Sequence, residues 1–217
     1  MKNKEFKAFQ INYGVSISEN MSGKMKDVLG LSTSCLFNEI CLQRMKDGNS
    51  ICSHCYAESN LLRYGTGEKA YQYHNMKKNT EILTTRIIPV GEWPLVFADI
   101  FRLESFGDIQ NTTQVENYFN FAETNPAVTF ALWTKNPSII ARVLIHREKP
   151  SNLIIVYSSP ILNELDIPPY SFIDKYFTVY DKEHAKDHEI NCGARNCNAC
   201  RRCYSKDTDI YIKEMLK

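Results

Sequence analysis

Between residues 95 and 180 the chain alternates short apolar runs with helical patterns across short connections, which predicts parallel strands joined by right-handed crossovers. Leu95 to Leu103 (LVFADIFRL) reads as a strand, stopped by the turn residues Glu104-Ser105-Phe106-Gly107-Asp108. A helix follows: Thr113 and Glu116 have capping-box spacing, Val115, Tyr118, Phe119 and Ala122 share one face, and Asn125-Pro126 ends the pattern. Ala127 to Trp133 is a second strand. Asn136 is then a candidate N-cap with Pro137 at the first helical position, and Ile140, Val143 and Leu144 lie on one side. Leu153 to Tyr157 and Tyr176 to Tyr180 supply two more strands. Outside this unit, Phe9 to Ile17 and Asp209 to Ile212 are candidate strands, and Gly67 to Thr85 is a long polar helix. The expected fold is α/β: a partial (β/α) barrel or open, mostly parallel sheet of about five or six strands in one domain, residues 1–217. A full eight-unit barrel takes about 250 residues, more than this chain has.

Cysteine placement is the second constraint. Cys35, Cys41, Cys52 and Cys55 fall within 21 residues, the next 136 contain none, and Cys192, Cys197, Cys200 and Cys203 fall within 12. The cysteines therefore mark two segments, residues 30–58 and 192–204. No apolar leader opens the sequence and no stretch reaches the about 20 apolar residues of a membrane span, so a cytoplasmic protein with no membrane partner is expected. In that reducing compartment, clustered cysteines more often hold metal than form disulfides. Zinc asks for a tetrahedron of ligands, commonly from C-x2-C pairs such as Cys52 and Cys55. Iron-sulfur clusters favour overlapping C-x2-C-x2-C runs with one cysteine at a distance, the pattern of Cys197, Cys200 and Cys203 with Cys192 upstream. One or two clusters, of the four-iron, four-sulfide type, are expected, with zinc as the alternative. The N-terminal set lies between a strand and a helix, where α/β proteins place their functional loops, and it leaves open whether three or four cysteines ligate.

Charge follows the cysteines. Residues 1–90 carry net +4, 91–191 net −6 and 192–217 net +3, so both cysteine segments lie in basic stretches. Arg195, Arg201 and Arg202 would offset anionic thiolates, or form a solvated face. The net charge of +1 argues against duplex binding driven by phosphate neutralisation.

Several strings carry a resemblance: Ser22-Gly23-Lys24-Met25, Cys35, Cys41, Cys55-Tyr56-Ala57, Phe101-Arg102, Gly107-Asp108-Ile109, Trp133-Thr134-Lys135-Asn136-Pro137 and the run Cys197, Cys200, Cys203-Tyr204. Together, over residues 20–215, they are similar to the phage gene product 88 family. That family in turn resembles shortened radical S-adenosylmethionine proteins, whose partial barrels carry a three-cysteine loop after the first strand. This chain departs from their C-x3-C-x2-C signature: ten residues separate Cys41 from Cys52, and His54 precedes Cys55 where an aromatic residue is usual. The resemblance implies a cluster at the rim formed by the C-terminal strand ends, with S-adenosylmethionine as the candidate small-molecule cofactor. Glu104, Asp108, Thr134, Lys135 and Ser158 are the candidate cofactor-binding residues on that rim, with Ser105 and Ser159 beside them; the hydroxyl residues also suit ordinary turns.

Arg102 falls inside a strand pattern and is expected to pair with Asp99. His54 is most simply solvent-exposed, and His184 and His188 have the i, i+4 spacing of a zinc helix but sit among lysines. Two main readings of function compete, with a zinc protein, Cys52 and Cys55 joined by two of the C-terminal cysteines, as a third. One is a radical S-adenosylmethionine-like iron-sulfur enzyme with a working N-terminal cluster and an auxiliary C-terminal one. The other is a metal-stabilised, non-catalytic phage protein that binds a protein or nucleic-acid partner.

Overall fold

A computed structural model describes residues 12–19, 23–65 and 70–216. Seven strands form one sheet in sequential order: β1 (Ser18–Glu19), β2 (Leu29–Leu31), β3 (Ile100–Leu103), β4 (Thr129–Thr134), β5 (Leu153–Ser158), β6 (Lys175–Tyr180) and β7 (Tyr211–Met215). β1 pairs antiparallel with β2, and every other pairing is parallel. The helices are α1 (Glu39–Met45), α2 (Tyr56–Tyr64), α3 (Ala70–Thr85), α4 (Thr112–Thr124), α5 (Pro137–Val143) and the single turn α6 (Cys197–Cys200). The sheet is open, with one strand more than the five or six expected.

Strand alternation sorts side chains onto two faces. Leu31, Phe101, Leu103, Phe130, Leu132, Leu153, Ile155 and Tyr157 point toward α3, α4 and α5 and build the main core with Leu83, Tyr118, Phe119, Phe121, Ile140 and Val143. Phe101, Phe121 and Phe130 meet with ring centroids 5.0–5.1 Å apart, and Trp93 stacks on Phe121 at 4.5 Å. On the second face Val28, Ile100, Ala131, Ile154, Val156, Phe177 and Ile212 are buried beneath Tyr204, with Met25, Trp133, Cys192, Cys197 and Cys203 packed against them. A parallel sheet needs both faces covered. Here helices cover one, and the C-terminal cysteine segment covers the other.

Several boundaries differ from the sequence reading. Residues 95–99 are not strand: Val96 N–H donates to Asn125 Oδ1 (2.6 Å) and Asn125 Nδ2 donates to the Pro94 carbonyl (3.0 Å), so the C-terminal end of α4 takes those backbone groups from the sheet. The helix that follows is capped by Asn111, whose Oδ1 accepts from Gln114 N–H (3.0 Å), and Thr113 is not its cap. Glu116 instead pairs with Arg147 at 2.5 Å. Of the candidate strand Phe9 to Ile17, residues 9–11 lie outside the described residues, 12–13 are helical and 14–17 form no strand. The first part of the candidate helix Gly67 to Thr85 also lies outside them, and Ala70–Thr85 is helical as expected. The last strand begins at Tyr211 rather than Asp209. Arg102 does not pair with Asp99, which binds Arg201 (2.5 Å).

Candidate functional site

The N-terminal cysteines sit at the C-terminal ends of the parallel strands, between β2 and α3. Asn38 caps α1 by accepting from Ile40 and Cys41 N–H, while its Nδ2 donates to the Asp108 carbonyl (2.9 Å). Ser34 N–H donates to Thr80 Oγ1 (2.9 Å), and Ile51 N–H donates to the Pro160 carbonyl (2.8 Å), so the segment is tied to α3 at one end and to the loop after β5 at the other. Cys35 and Cys41 are buried and Cys55 half-buried in one apolar cluster with Ala57, Leu61 and Met76. Cys52 stands outside that cluster but within electrostatic reach of Cys41.

The Cys35 thiol is hydrogen-bonded to Cys55, which lowers the Cys55 pKa to about 6 against the opposing effect of burial. The Glu58 and Ala57 backbone N–H groups at the start of α2, and the Lys135 charge, lower it further. The same hydrogen bond and burial push Cys35 up, and burial with the Asp108 carboxylate pushes Cys41 up. This corner therefore favours one thiolate among protonated thiols until a cation supplies more positive charge.

The rim residues come together in part. Asp108 is buried; its carboxylate accepts from Thr134 Oγ1 (2.6 Å), Lys135 N–H (2.9 Å) and Ile109 N–H (2.8 Å), with Arg44 Nη1 at 3.7 Å. The Lys135 charge lies within reach of both Cys41 and Cys55. Glu104 is committed to protein donors: Thr33 N–H (3.2 Å), Thr33 Oγ1 (3.0 Å), Gln114 Nε2 (2.8 Å) and the Tyr118 hydroxyl. Burial nevertheless raises its pKa to about 7, outweighing the donors from Tyr118 and Thr33. Ser158 is buried at the end of β5, and Ser159 Oγ accepts from Ile161 N–H (3.2 Å) as an ordinary turn residue. His54 is exposed. His184 bonds Asp181 (2.9 Å) while His188 packs on Tyr180 with ring centroids 4.0 Å apart, so the two histidines diverge.

The C-terminal cysteines line one small pocket on the second sheet face, together with Lys24 and Tyr204. Cys192 N–H donates to the Lys213 carbonyl of β7 (3.0 Å), Cys197 N–H donates to the Lys24 carbonyl (2.7 Å), and Asn196 caps α6 through Ala199 N–H (2.8 Å). Arg201 closes α6 in the left-handed region (φ +53°), turning the chain so that Cys203 faces back toward the sheet. Burial raises the Cys203 pKa to about 12, and Cys192 adds to the effect.

Lys24 and Arg202 line this pocket, and Lys175 and Arg102 lie within electrostatic reach of Cys203. Lys24 Nζ contacts Cys192 Sγ (3.1 Å) and Glu214 (2.9 Å); burial opposes its charge, but these two partners prevail and hold its pKa above the usual lysine range. Lys175, with no exposed surface, donates to the Thr208 carbonyl (2.8 Å), Thr208 Oγ1 (3.0 Å) and the Asp209 carbonyl (3.0 Å), all neutral acceptors. The nearby Asp174 and Asp209 are themselves paired with Lys149 (2.6 Å) and Arg202 (2.7 Å). Arg102 lies over the Trp133 ring, 4.3 Å from its centroid, with Met25 Sδ at 3.7 Å. Lys24, Arg102 and Trp133 lie in the quoted strings, and Arg102 reads as a strand charge in need of a partner, but neither they nor Lys175 are candidate site residues in the sequence, because only the folded sheet brings them to the cysteine segment.

Among the described residues, no group of three or more His, Cys, Asp or Glu side chains is placed to hold a single metal ion. No helix among them is long and apolar enough to cross a membrane. No curated protein and no solved structure matches the chain. A family model described as Gene product 88 matches residues 2–206, nearly the whole chain, and the protein therefore belongs to the Gene product 88 family.

Proposed function

We propose that this chain is an iron-sulfur protein, with Cys192, Cys197, Cys200 and Cys203 holding one cluster on the second sheet face and Cys35, Cys41 and Cys55 holding another at the strand-end rim. The observation that carries the reading is a charge imbalance. Arg102 has only Tyr204, Tyr56, Cys203 and Cys197 within electrostatic reach and no carboxylate among them, whereas Lys175 has Cys203 together with Asp209, Asp174 and Asp207. Burying a cation without a counter-charge costs several kcal/mol, roughly, and neutral thiols supply none. Four thiolates around a cluster leave a net negative centre and balance the Arg102 charge.

The spacing agrees. Four thiolates on one zinc, at Zn–S distances of about 2.3 Å, crowd together at a tetrahedron's corners. Thiolates of a four-iron cluster each take a different iron, which suits four cysteines that line one pocket.

At the rim, Cys35, Cys41 and Cys55 share an apolar cluster that Cys52 lies outside while staying within electrostatic reach of Cys41, so the reading is three ligands and one open iron, with Cys52 as the alternative fourth. When bound, such a cluster supplies an electron and a coordination position for a small molecule. Asp108, Thr134 and Lys135 lie beside it, and S-adenosylmethionine is the candidate occupant. Glu104 holds the Thr33 loop in place rather than meeting a ligand.

The second reading, a structural metal site without catalysis, draws on the C-terminal segment alone, since it covers a sheet face that helices would otherwise cover. Anaerobic purification followed by iron, sulfide and zinc analysis tests the proposal: iron and acid-labile sulfide with a visible charge-transfer band are expected, and stoichiometric zinc in a colourless protein overturns it. Adenosylmethionine added to the reduced protein then shifts the paramagnetic resonance signal if an iron is open, and leaves it unchanged if Cys52 closes the site.

A further inference from the structure

On the second sheet face two side-chain N–H donors, Arg102 Nε and Trp133 Nε1, are sealed from solvent without any hydrogen-bond partner. They belong to neighbouring strands, β3 and β4, and their side chains stack at 4.3 Å. A sealed donor left without an acceptor forfeits its hydration with nothing in return, and here two stand side by side. The other partners of Arg102, Met25 Sδ and the Tyr204 hydroxyl, are neutral. Within electrostatic reach of its guanidinium lie Tyr204, Cys203 and Cys197 on the C-terminal segment, and Tyr56, which follows Cys55, on the N-terminal one. Trp133, Cys192, Cys197 and Cys203 pack against the same apolar cluster on this face, so the acceptor these donors lack is sought in an anionic centre held by the C-terminal cysteines.

We propose that Arg102 Nε–H and Trp133 Nε1–H donate hydrogen bonds to the sulfur atoms, thiolate or sulfide, of the centre held by Cys192, Cys197, Cys200 and Cys203, and thereby raise its reduction potential. This deepens the iron-sulfur reading and rests on it. A cluster gains one negative charge when it takes an electron, so a cation and two N–H donors stabilise the reduced form more than the oxidised form. Arg102 and Trp133 are positioning residues that act through the centre.

The test is an anaerobic optical titration of the C-terminal cluster, isolated spectroscopically in a background where Cys35, Cys41, Cys52 and Cys55 are all alanine, with dithionite donating one electron per cluster. In Arg102→Gln the ratio of reduced to oxidised cluster at a fixed solution potential is expected to fall about tenfold, which is about 59 mV for one electron. Trp133→Phe keeps a ring under Arg102 and removes one neutral donor, so a smaller fall of about threefold is expected. Unchanged ratios in both variants, with the cluster retained, overturn the inference and leave the iron-sulfur reading standing. Should Arg102→Gln fail to hold its cluster, Trp133→Phe decides alone: a lowered ratio supports the inference and an unchanged one overturns it. A wild-type protein without iron and sulfide overturns the iron-sulfur reading and this inference together.

Discussion

Glu104 concentrates what single residues contribute to this molecule. It adopts a positive φ of 58°, uncommon for a residue with a Cβ, and its buried carboxylate receives donors from the β2 loop and from α4. Gly107 makes that possible, because a Cβ there would meet the Thr33 hydroxyl, and would stand 2.6 Å from Glu104 Oε2 and 2.8 Å from the Thr33 carbonyl. Gly107→Ala is expected to lower stability by about 1–3 kcal/mol, whereas Gly48→Ala, with open space around it, stays within about 0.5 kcal/mol; urea denaturation of both measures this. The carboxyl also links stability to pH. Its folded pKa, about 7, lies above its ordinary 4.5, so between these values the folded state holds more protons and stability falls as pH rises. Comparing Glu104→Gln with wild type across this window isolates the effect: the difference in stability between them is expected to change with pH up to about 7 and to level off above it. The turn Glu104 to Asp108 was evident from residue types, and so was the need of its charges for partners. Which partners they found was not, because Thr33 and Tyr118 are distant in sequence.

Most elements kept their type and shifted their ends, whereas the candidate strand Phe9 to Ile17 formed none among its described residues. Apolar periodicity identifies α4, but Thr113 with Glu116 mimics a cap that the helix does not use, since Asn111 bonds both Gln114 N–H (3.0 Å) and, through Nδ2, the Thr84 carbonyl of α3 (2.8 Å). Asn111→Ala is therefore expected to cost about 1–2 kcal/mol and Thr113→Ala less than about 0.5 kcal/mol, read from thermal melts of the two variants. Residues 95–99 have strand composition yet lie outside the sheet, because Asn125 captures their backbone. In the C-terminal segment, the buried Lys175 gathers the Thr208 and Asp209 carbonyls and holds the turn that leads from Cys203 into β7. Lys175→Met leaves those carbonyls without their donor and is expected to lower stability by about 1–3 kcal/mol; faster proteolysis between residues 204 and 210 would locate the change.

The whole molecule is a sheet with unequal covers. One face is sealed by three helices and a large aromatic core; the other depends on a segment of short turns whose apolar cover is mainly Tyr204 and the cysteines themselves. On the proposed cluster reading, removing metal from the C-terminal set should loosen that face first. Hydrogen exchange on chelated and loaded protein is expected to show lost protection in residues 192–204 and β7, with α4 and β4 unchanged; uniform loss would show that the two faces unfold as one unit. The sequence by itself determined the α/β class, the parallel strands in the middle of the chain and the division of cysteines into two groups of four, because periodicity, turn residues and spacing are local properties of the chain. The tertiary structure alone decided that the second group covers a sheet face, that Lys24 lines its pocket with Lys175 and Arg102 in electrostatic reach of Cys203, and that Glu104 is sealed away from the rim. Each of those depends on contacts between residues tens of positions apart, which exist only once parallel pairing has set the register of the sheet.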